Sequence, residues 1–305
     1  MTALRKVLVL GASGDQGFPL LENLLDQGFQ PTAGVRRADA LKDTPFAAVP
    51  VVPADIEDEE SLFEAFKGQD ALMMHLPFEF DRARAAGFGR RIAAAAKRAG
   101  LGKIVFNTSC FVADHDLNLS AHDGRRDIER SIAESGVPYV VVRPVVFMDN
   151  MIRVWSKPSI VQKNTWAYPA GESLKISWIC LEDVAAYMTC GLARDELTAE
   201  KLLVGGPEAL VGAEVAERLS AAAGRTIRFQ SLDPRDYAAK MSLLVTGSSE
   251  VAPHSIYDGM AQFYSWYNVQ PASPLVVDVA AALAKLPITP TPFDRWAARQ
   301  DWSRV

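Results

Sequence analysis

Apolar residues in the first half of the chain fall into two alternating patterns. One is the short unbroken run, as in KVLVL or ALMMHL, which suits a strand buried on both faces. The other repeats every three or four positions, as helices with one buried face do. The runs predict strands over 6–10, 31–35, 49–52, 71–76, 103–108 and 139–142. The periodic stretches predict helices over 18–27, 59–66, 82–98 and 127–134. In the first helix Leu20, Leu21, Leu24 and Leu25 share a face, Pro19 sits in the first turn and Gly28 lies just past the end. Asp58 is placed to cap the second helix, whose buried side carries Leu62, Phe63 and Phe66. Gly100 and Gly136 close the next two.

Such alternation implies βαβ units with right-handed crossovers. The expected fold is α/β: a Rossmann-type, doubly wound parallel sheet over residues 1–150. After Asn150 the pattern loosens, and Trp155, Trp166, Tyr168 and Trp178 fall in a stretch with few regular elements. Helices are expected at 181–192, 212–222, 234–245, 255–267 and 293–302, with a strand at 201–204. No Gly/Ser-rich linker separates the halves. Residues 151–305 are therefore expected to form a smaller α+β substrate-binding cap, interleaved with the sheet.

Composition narrows the function. The chain has 305 residues with 32 Lys+Arg against 37 Asp+Glu, a net charge of −5. That balance argues against a nucleic-acid surface, which needs a dense basic face. No apolar run is long enough to span a membrane, and the segment MTALRKVLVLGASG does not read as a signal peptide. Three cysteines, Cys110, Cys180 and Cys190, make an odd count without paired spacing. They suggest a reducing cytoplasm rather than a disulfide scaffold. The four histidines, His75, His115, His122 and His254, lack metal-ligand spacing, so no metal is expected.

The sharpest motif is GASGDQG, between the first strand and the first helix. Gly11 permits the turn out of the strand, Gly14 lets a pyrophosphate approach the backbone, and Gly17 lets the helix pack closely. The helix N-terminus then faces the phosphates, with Ser13, Asp15 and Gln16 beside them. An NAD site usually has a carboxylate at the end of the second strand. Arg36 and Arg37 stand there instead, and a guanidinium suits a 2′-phosphate. NADP(H) is thus the expected cofactor. Asp55 is placed to accept from the adenine amino group, or to serve only as a helix cap. Leu76, Pro77 and Phe78 should pass the nicotinamide.

These residues, with Asp55-Ile56, SGVPYVVVRPVVFMDN (135–150), ISWICLEDVAAYMTCGL (176–192) and the glycine-rich stretch 205–225, resemble the NmrA-like family of atypical short-chain dehydrogenase/reductases. The resemblance covers residues 5–230. It implies a Rossmann domain with a small C-terminal substrate domain, NADP(H) binding, and cofactor contacts from Thr108, Pro144 and Phe147. Family members include isoflavone, lignan, quinone and dye reductases, and also catalytically silent redox-sensing regulators. The wider superfamily uses a Tyr-x-x-x-Lys pair. Here Ala121 stands at the tyrosine position and Arg125 at the lysine position, or Arg126 after a one-residue slip.

Arg125 is expected in the catalytic site, where its fixed donors can still hold a ribose hydroxyl or a phosphate, but arginine is a poor general acid. His122, expected in a loop, is the nearest proton donor, with His75 as a second candidate. Ser109 is a candidate to orient substrate, and Cys110 beside it is either a reactive thiol or a small buried hydrophobe. Phe78, Phe111, Phe147, Met151, Trp155, Trp166, Tyr168, Phe263 and Tyr264 are candidates for an aromatic substrate pocket, with a packed cap core as the other reading. The sequence thus predicts an NADPH-dependent reductase of a small apolar, aromatic or quinone-like acceptor, acting as a monomer or homodimer. A silent NADP(H)-responsive regulator and a dinucleotide-dependent isomerase remain as alternatives.

Overall fold

In the computed structural model, which describes residues 6–305, the first strands and helices follow the predicted alternation. Residues 1–5, part of the N-terminal segment read above for a leader, lie outside the described residues. In chain order the elements are β1 (Lys6–Leu10), α1 (Gly17–Asp26), β2 (Gln30–Val35), β3 (Val51–Pro53), α2 (Glu59–Phe66) and β4 (Ala71–His75). Then come α3 (Arg82–Ala99), β5 (Lys103–Asn107), α4 (Ser120–Ser135) and β6 (Tyr139–Pro144). A short 3-10 helix follows at Met148–Ile152, then α5 (Lys157–Lys163), β7 (Thr165–Tyr168), α6 (Leu181–Ala193) and β8 (Ala199–Val204). The chain ends with α7 (Gly212–Ala223), β9 (Arg228–Ser231), α8 (Pro234–Thr246), α9 (Ile256–Asn268), α10 (Val279–Lys285) and α11 (Phe293–Ala298). Among the described residues no helix is long and apolar enough to cross a membrane.

Two compact units divide this chain. The first comprises residues up to Pro144 together with Leu181–Val204 and Ala280–Ile288. It holds a seven-stranded sheet of order β3-β2-β1-β4-β5-β6-β8. Every pairing is parallel. The order reverses between β1 and β4, which makes the carboxyl ends of those strands the topological switch point. Leu8, Leu72, Ile104 and Val141 from the strands pack with Phe66, Ile92, Ile128 and Ile132 from α2, α3 and α4. Unbroken apolar strands are thus explained by helices on the sheet faces.

α4 departs from expectation. It begins at Ser120, about two turns before the expected start at residue 127. Its first turns carry small residues that meet α3 closely. A Cβ added at Gly124 would lie 2.9 Å from Ala85 Cβ, and one at Gly89 2.8 Å from the Ile128 Cα. Close approach of two backbones replaces the large apolar side chains that a helix pattern usually shows. β6 is tied to α4 by a buried ion pair: the Arg143 guanidinium donates to both carboxylate oxygens of Glu129, at 2.8 and 2.6 Å. Lys201 Nζ stands 3.3 Å from the same carboxylate. The arginine in the RP-x-x-F segment is therefore structural.

The second unit comprises Val145–Cys180, Gly205–Val279 and Thr289–Val305. β7 and β9 form a parallel two-stranded sheet here, and neither strand was expected. The unit's core is aromatic. Trp166 stacks on Tyr168 with ring centres 5.2 Å apart, and meets Phe229 and Trp178 at 5.1 and 5.7 Å. Tyr168 in turn meets Tyr237 and Tyr264.

Candidate functional site

The glycine loop forms one wall of a cleft of about 630 Å³ in the first unit, at the carboxyl ends of β1, β2 and β4. Gly11 has φ of +86°, a left-handed backbone that other residues adopt only with strain. The loop turns there, and the His75 ring packs against it; an added Cβ would lie 2.6 Å from His75 Nε2. Gly17 serves closeness instead. A Cβ there would meet the backbone carbonyls of Ala12 and Gly11 at 2.3 and 2.4 Å. Both roles match what a pyrophosphate-binding turn requires.

Of the residues expected to bind cofactor, Gly11, Ser13, Gly14, Asp15, Gln16, Arg36, Asp55, Leu76 and Pro77 line this cleft, and Phe78 joins them. Arg37 does not. It points to Asp39, 3.8 Å away, in a largely exposed pair. Gly17 lies under the loop rather than on the wall. Thr108 is fully buried, with its hydroxyl donating to the Cys110 carbonyl at 2.6 Å. Pro144 ends β6 in the first unit, and Phe147 belongs to the second.

The cleft also holds residues that sequence reasoning missed, among them Gly34, Ile56, Glu57, Glu79, Arg84 and Phe88. Arg84 bonds to Glu57 and, at 2.8 Å, to Glu79. With Arg84 so engaged, Arg36 is the cleft guanidinium without an ion pair among the described residues. Glycine spacing and strand ends located the loop and Arg36. Arg84 carries no such signal, because it reaches the cleft from the first turn of α3. The cleft's shape, its bare glycine wall and its unpaired arginine fit a phosphorylated dinucleotide.

Of the three residues expected to carry catalysis, Arg125 and Ser109 bond to residues of the cleft wall from behind it, and His122 is buried on α4. His122 was expected in a loop; it is on α4 and 1% exposed. Burial, aided by the nearby Arg125 charge, pushes its pKa down to about 3. At neutral pH the imidazole is uncharged and has no acidic proton to give, so the expected acid role is corrected on this ground. His75 is likewise held down to about 4, by burial first and by Arg125 second. Arg125 is 3% exposed, and its Nη2 donates to the carbonyls of Leu76 and Pro77 at 2.7 and 2.9 Å. Its guanidinium carbon lies 5.0 Å from the Phe78 ring centre. Arg125 therefore fixes the Leu76–Phe78 loop rather than offering these donors to a ligand. Ser109 is buried, with its hydroxyl donating to Gln16. Burial pushes the Cys110 thiol up to about 12, which leaves it a small buried hydrophobe.

The aromatic candidates divide by exposure. Trp166 and Met151 have no exposed surface at all, and Tyr168 and Tyr264 almost none. They are core of the second unit, and their expected place on a pocket wall is corrected accordingly. The Tyr168 and Tyr264 hydroxyls meet at 2.5 Å, which satisfies both inside that core. Phe78, Phe111, Phe147, Trp155 and Phe263 are only partly buried.

The sequence profile of the NmrA-like family matches residues 4–297. The chain is 30% identical over 262 residues to an NAD(P)H azoreductase of Xenophilus azovorans, covering 85% of this chain and 86% of that one. It is 30% identical over 228 residues to a (4-alkanoyl-5-oxo-2,5-dihydrofuran-3-yl)methyl phosphate reductase of Streptomyces griseus, covering 74% and 77%. Among solved structures, the NADPH complex of the quinone oxidoreductase QOR2 from Escherichia coli superposes with a TM-score of 0.78. That match covers 96% of this chain and 98% of the other at 21% identity, a likeness of fold.

Proposed function

Because the chain belongs to the NmrA-like family, we propose that it is an NADPH-dependent reductase of a small, flat, conjugated acceptor such as a quinone or an azo compound. The observation that carries this reading is the switch-point cleft with a glycine loop on one wall and an unpaired Arg36 on another. The relatives add that proteins of this length and likeness are named as reductases, which weighs against a silent regulator.

In this reading the amides of the loop from Gly11 to Gly17 hold the pyrophosphate, and Arg36 holds the 2′-phosphate. Asp55 accepts from the adenine amino group. The backbone between Leu76 and Phe78, pinned by Arg125, passes the nicotinamide. When bound, the dihydronicotinamide supplies a hydride; a proton completes the reduction. No histidine at the site carries a spare proton at neutral pH, so water is assigned that role. The partly buried Phe78 ring, stacked on Phe80 with centres 6.1 Å apart, offers a flat surface for a conjugated acceptor.

The test is NADPH oxidation, followed by its near-ultraviolet absorbance, against quinones, azo dyes and aromatic ketones. Turnover with at least one class is expected. Tight NADPH binding without turnover across the panel would overturn the reductase reading and favour the regulator. His122→Gln should leave turnover at neutral pH close to wild type; a large loss would return the proton to that residue.

A further inference from the structure

A hydrogen-bond network can fix which end of a glutamine amide is oxygen and which is nitrogen. Here the network starts at a group with only one possible role. The Ser109 backbone N–H, a donor, lies 2.7 Å from Asn107 Oδ1. The other end of Asn107 is then its nitrogen, Nδ2, which can only donate. Nδ2 donates at 2.8 Å to Gln16, so the Gln16 atom facing β5 is the oxygen Oε1. The Ser109 hydroxyl donates to the same Oε1 at 3.1 Å. Both lone pairs of that oxygen are thereby engaged. The arrangement is held firmly enough to keep Ser109 at φ of 62°, a costly conformation for a residue with a side chain.

Gln16 itself is a cleft residue, only partly buried. With its oxygen turned to β5, the other end of its amide is a nitrogen with two hydrogens. Nothing among the described residues accepts from it. We propose that the Gln16 amide is a preset hydrogen-bond donor to a carbonyl-type oxygen at the nicotinamide end of the cleft. It acts as a fixed dipole that polarises or orients but transfers no proton. The oxygen belongs either to the cofactor's carboxamide or to the acceptor. This inference rests on the cofactor reading given above.

Gln16→Glu tests it with little change of shape. A carboxylate still accepts from Asn107 and Ser109, but its outward oxygen is an acceptor until it is protonated. The measurement is NADPH affinity by fluorescence titration, and kcat on the best acceptor, from about pH 8 to about pH 5. Gln16→Glu should lose about tenfold or more near pH 8 and recover as the carboxyl protonates, a profile that wild type lacks. Gln16→Met should show the loss without the recovery. A loss in affinity assigns the oxygen to the cofactor; a loss in kcat at unchanged affinity assigns it to the acceptor. Wild-type affinity and kcat in both variants at every pH would overturn the inference. So would a pH-independent loss in Gln16→Glu equal to that of Gln16→Met, which is what a purely structural role predicts. Wild-type protein that binds neither NADPH nor NADH would instead overturn the cofactor reading, and this inference with it.

Discussion

Both units hold a cluster that the sequence marks strongly, a glycine loop in the first and tryptophans and tyrosines in the second. Gly11 and Gly14 end on the wall of a cleft, whereas Trp166, Tyr168 and Tyr264 end inside a core. The difference lies in what each residue type reports. A glycine at a strand-to-helix turn reports a backbone constraint, here a positive φ at Gly11 and a missing Cβ at Gly17. Backbone constraints are local and can be read from spacing. An aromatic residue reports only that a large apolar surface needs covering, by protein or by ligand. Which of these covers it depends on residues far along the chain, such as Phe229 and Tyr264 against Trp166 and Tyr168.

The sharpest attempt to break that contrast is Trp166→Ala. If Trp166 is core, the change leaves a large cavity and lowers stability by about 3–5 kcal/mol, measured by denaturant unfolding. Should stability fall by less than about 1 kcal/mol while the acceptor KM rises steeply, Trp166 would belong on a pocket wall after all.

The first unit makes a different prediction, through its buried imidazoles. His75 and His122 titrate near 6.5 when unfolded and at about 4 and about 3 when folded. Below 6.5 the unfolded chain therefore takes up protons that the folded chain refuses, and stability falls as pH falls. The ceiling is about 1.4 kcal/mol per pH unit for each group, so about 2 kcal/mol is expected to be lost between about pH 7 and about pH 5.5. Denaturant unfolding of wild type and of a His75→Gln, His122→Gln double variant checks it. The double variant should be flatter over this range; an equal slope would place the acid sensitivity elsewhere.

Arg36 and Arg37 sharpen the comparison within the first unit, because neighbouring residues of one type face different surroundings. Arg36 lines the cleft and Arg37 pairs with Asp39 in solvent. Arg36→Asp should weaken NADPH binding by about tenfold or more, about 1.4 kcal/mol, and NADH far less. Arg37→Asp should change neither beyond about twofold, as an exposed pair contributes little. Equal losses of NADPH and NADH in Arg36→Asp would remove this residue from the 2′-phosphate.

What was legible follows the same physics. The parallel sheet, the loop and Arg36 were legible because repeating apolar runs and glycine spacing encode them directly. The first turns of α4 were not, since Gly124 there, like Gly89 on α3, serves the close approach of the two helices. Periodicity of large apolar residues misses such a face, and with it the burial of His122 and Arg125. β7 and β9 were missed because each is short and finds its partner across a long stretch of chain. The direction of the Gln16 amide lies deeper still. It follows from a backbone N–H at Ser109, and no residue type announces that.

A smaller loss than that of Arg36→Asp is expected at the second unit's own polar contact. Tyr168 and Tyr264 share a hydroxyl–hydroxyl bond at 2.5 Å, and burial pushes the Tyr168 pKa up to about 12. Tyr168 also bonds to Asn150. Tyr264→Phe removes one hydroxyl while the ring stays edge-on to Tyr168. With Asn150 still available to satisfy Tyr168, the loss of stability should be about 1 kcal/mol. It should leave acceptor KM unchanged, because the pair lies within the core. A variant of unchanged stability whose acceptor preference shifts would show that this hydroxyl pair faces substrate. The aromatic cluster would then be as much a site as the glycine loop, and the contrast between the two units would fail at its centre.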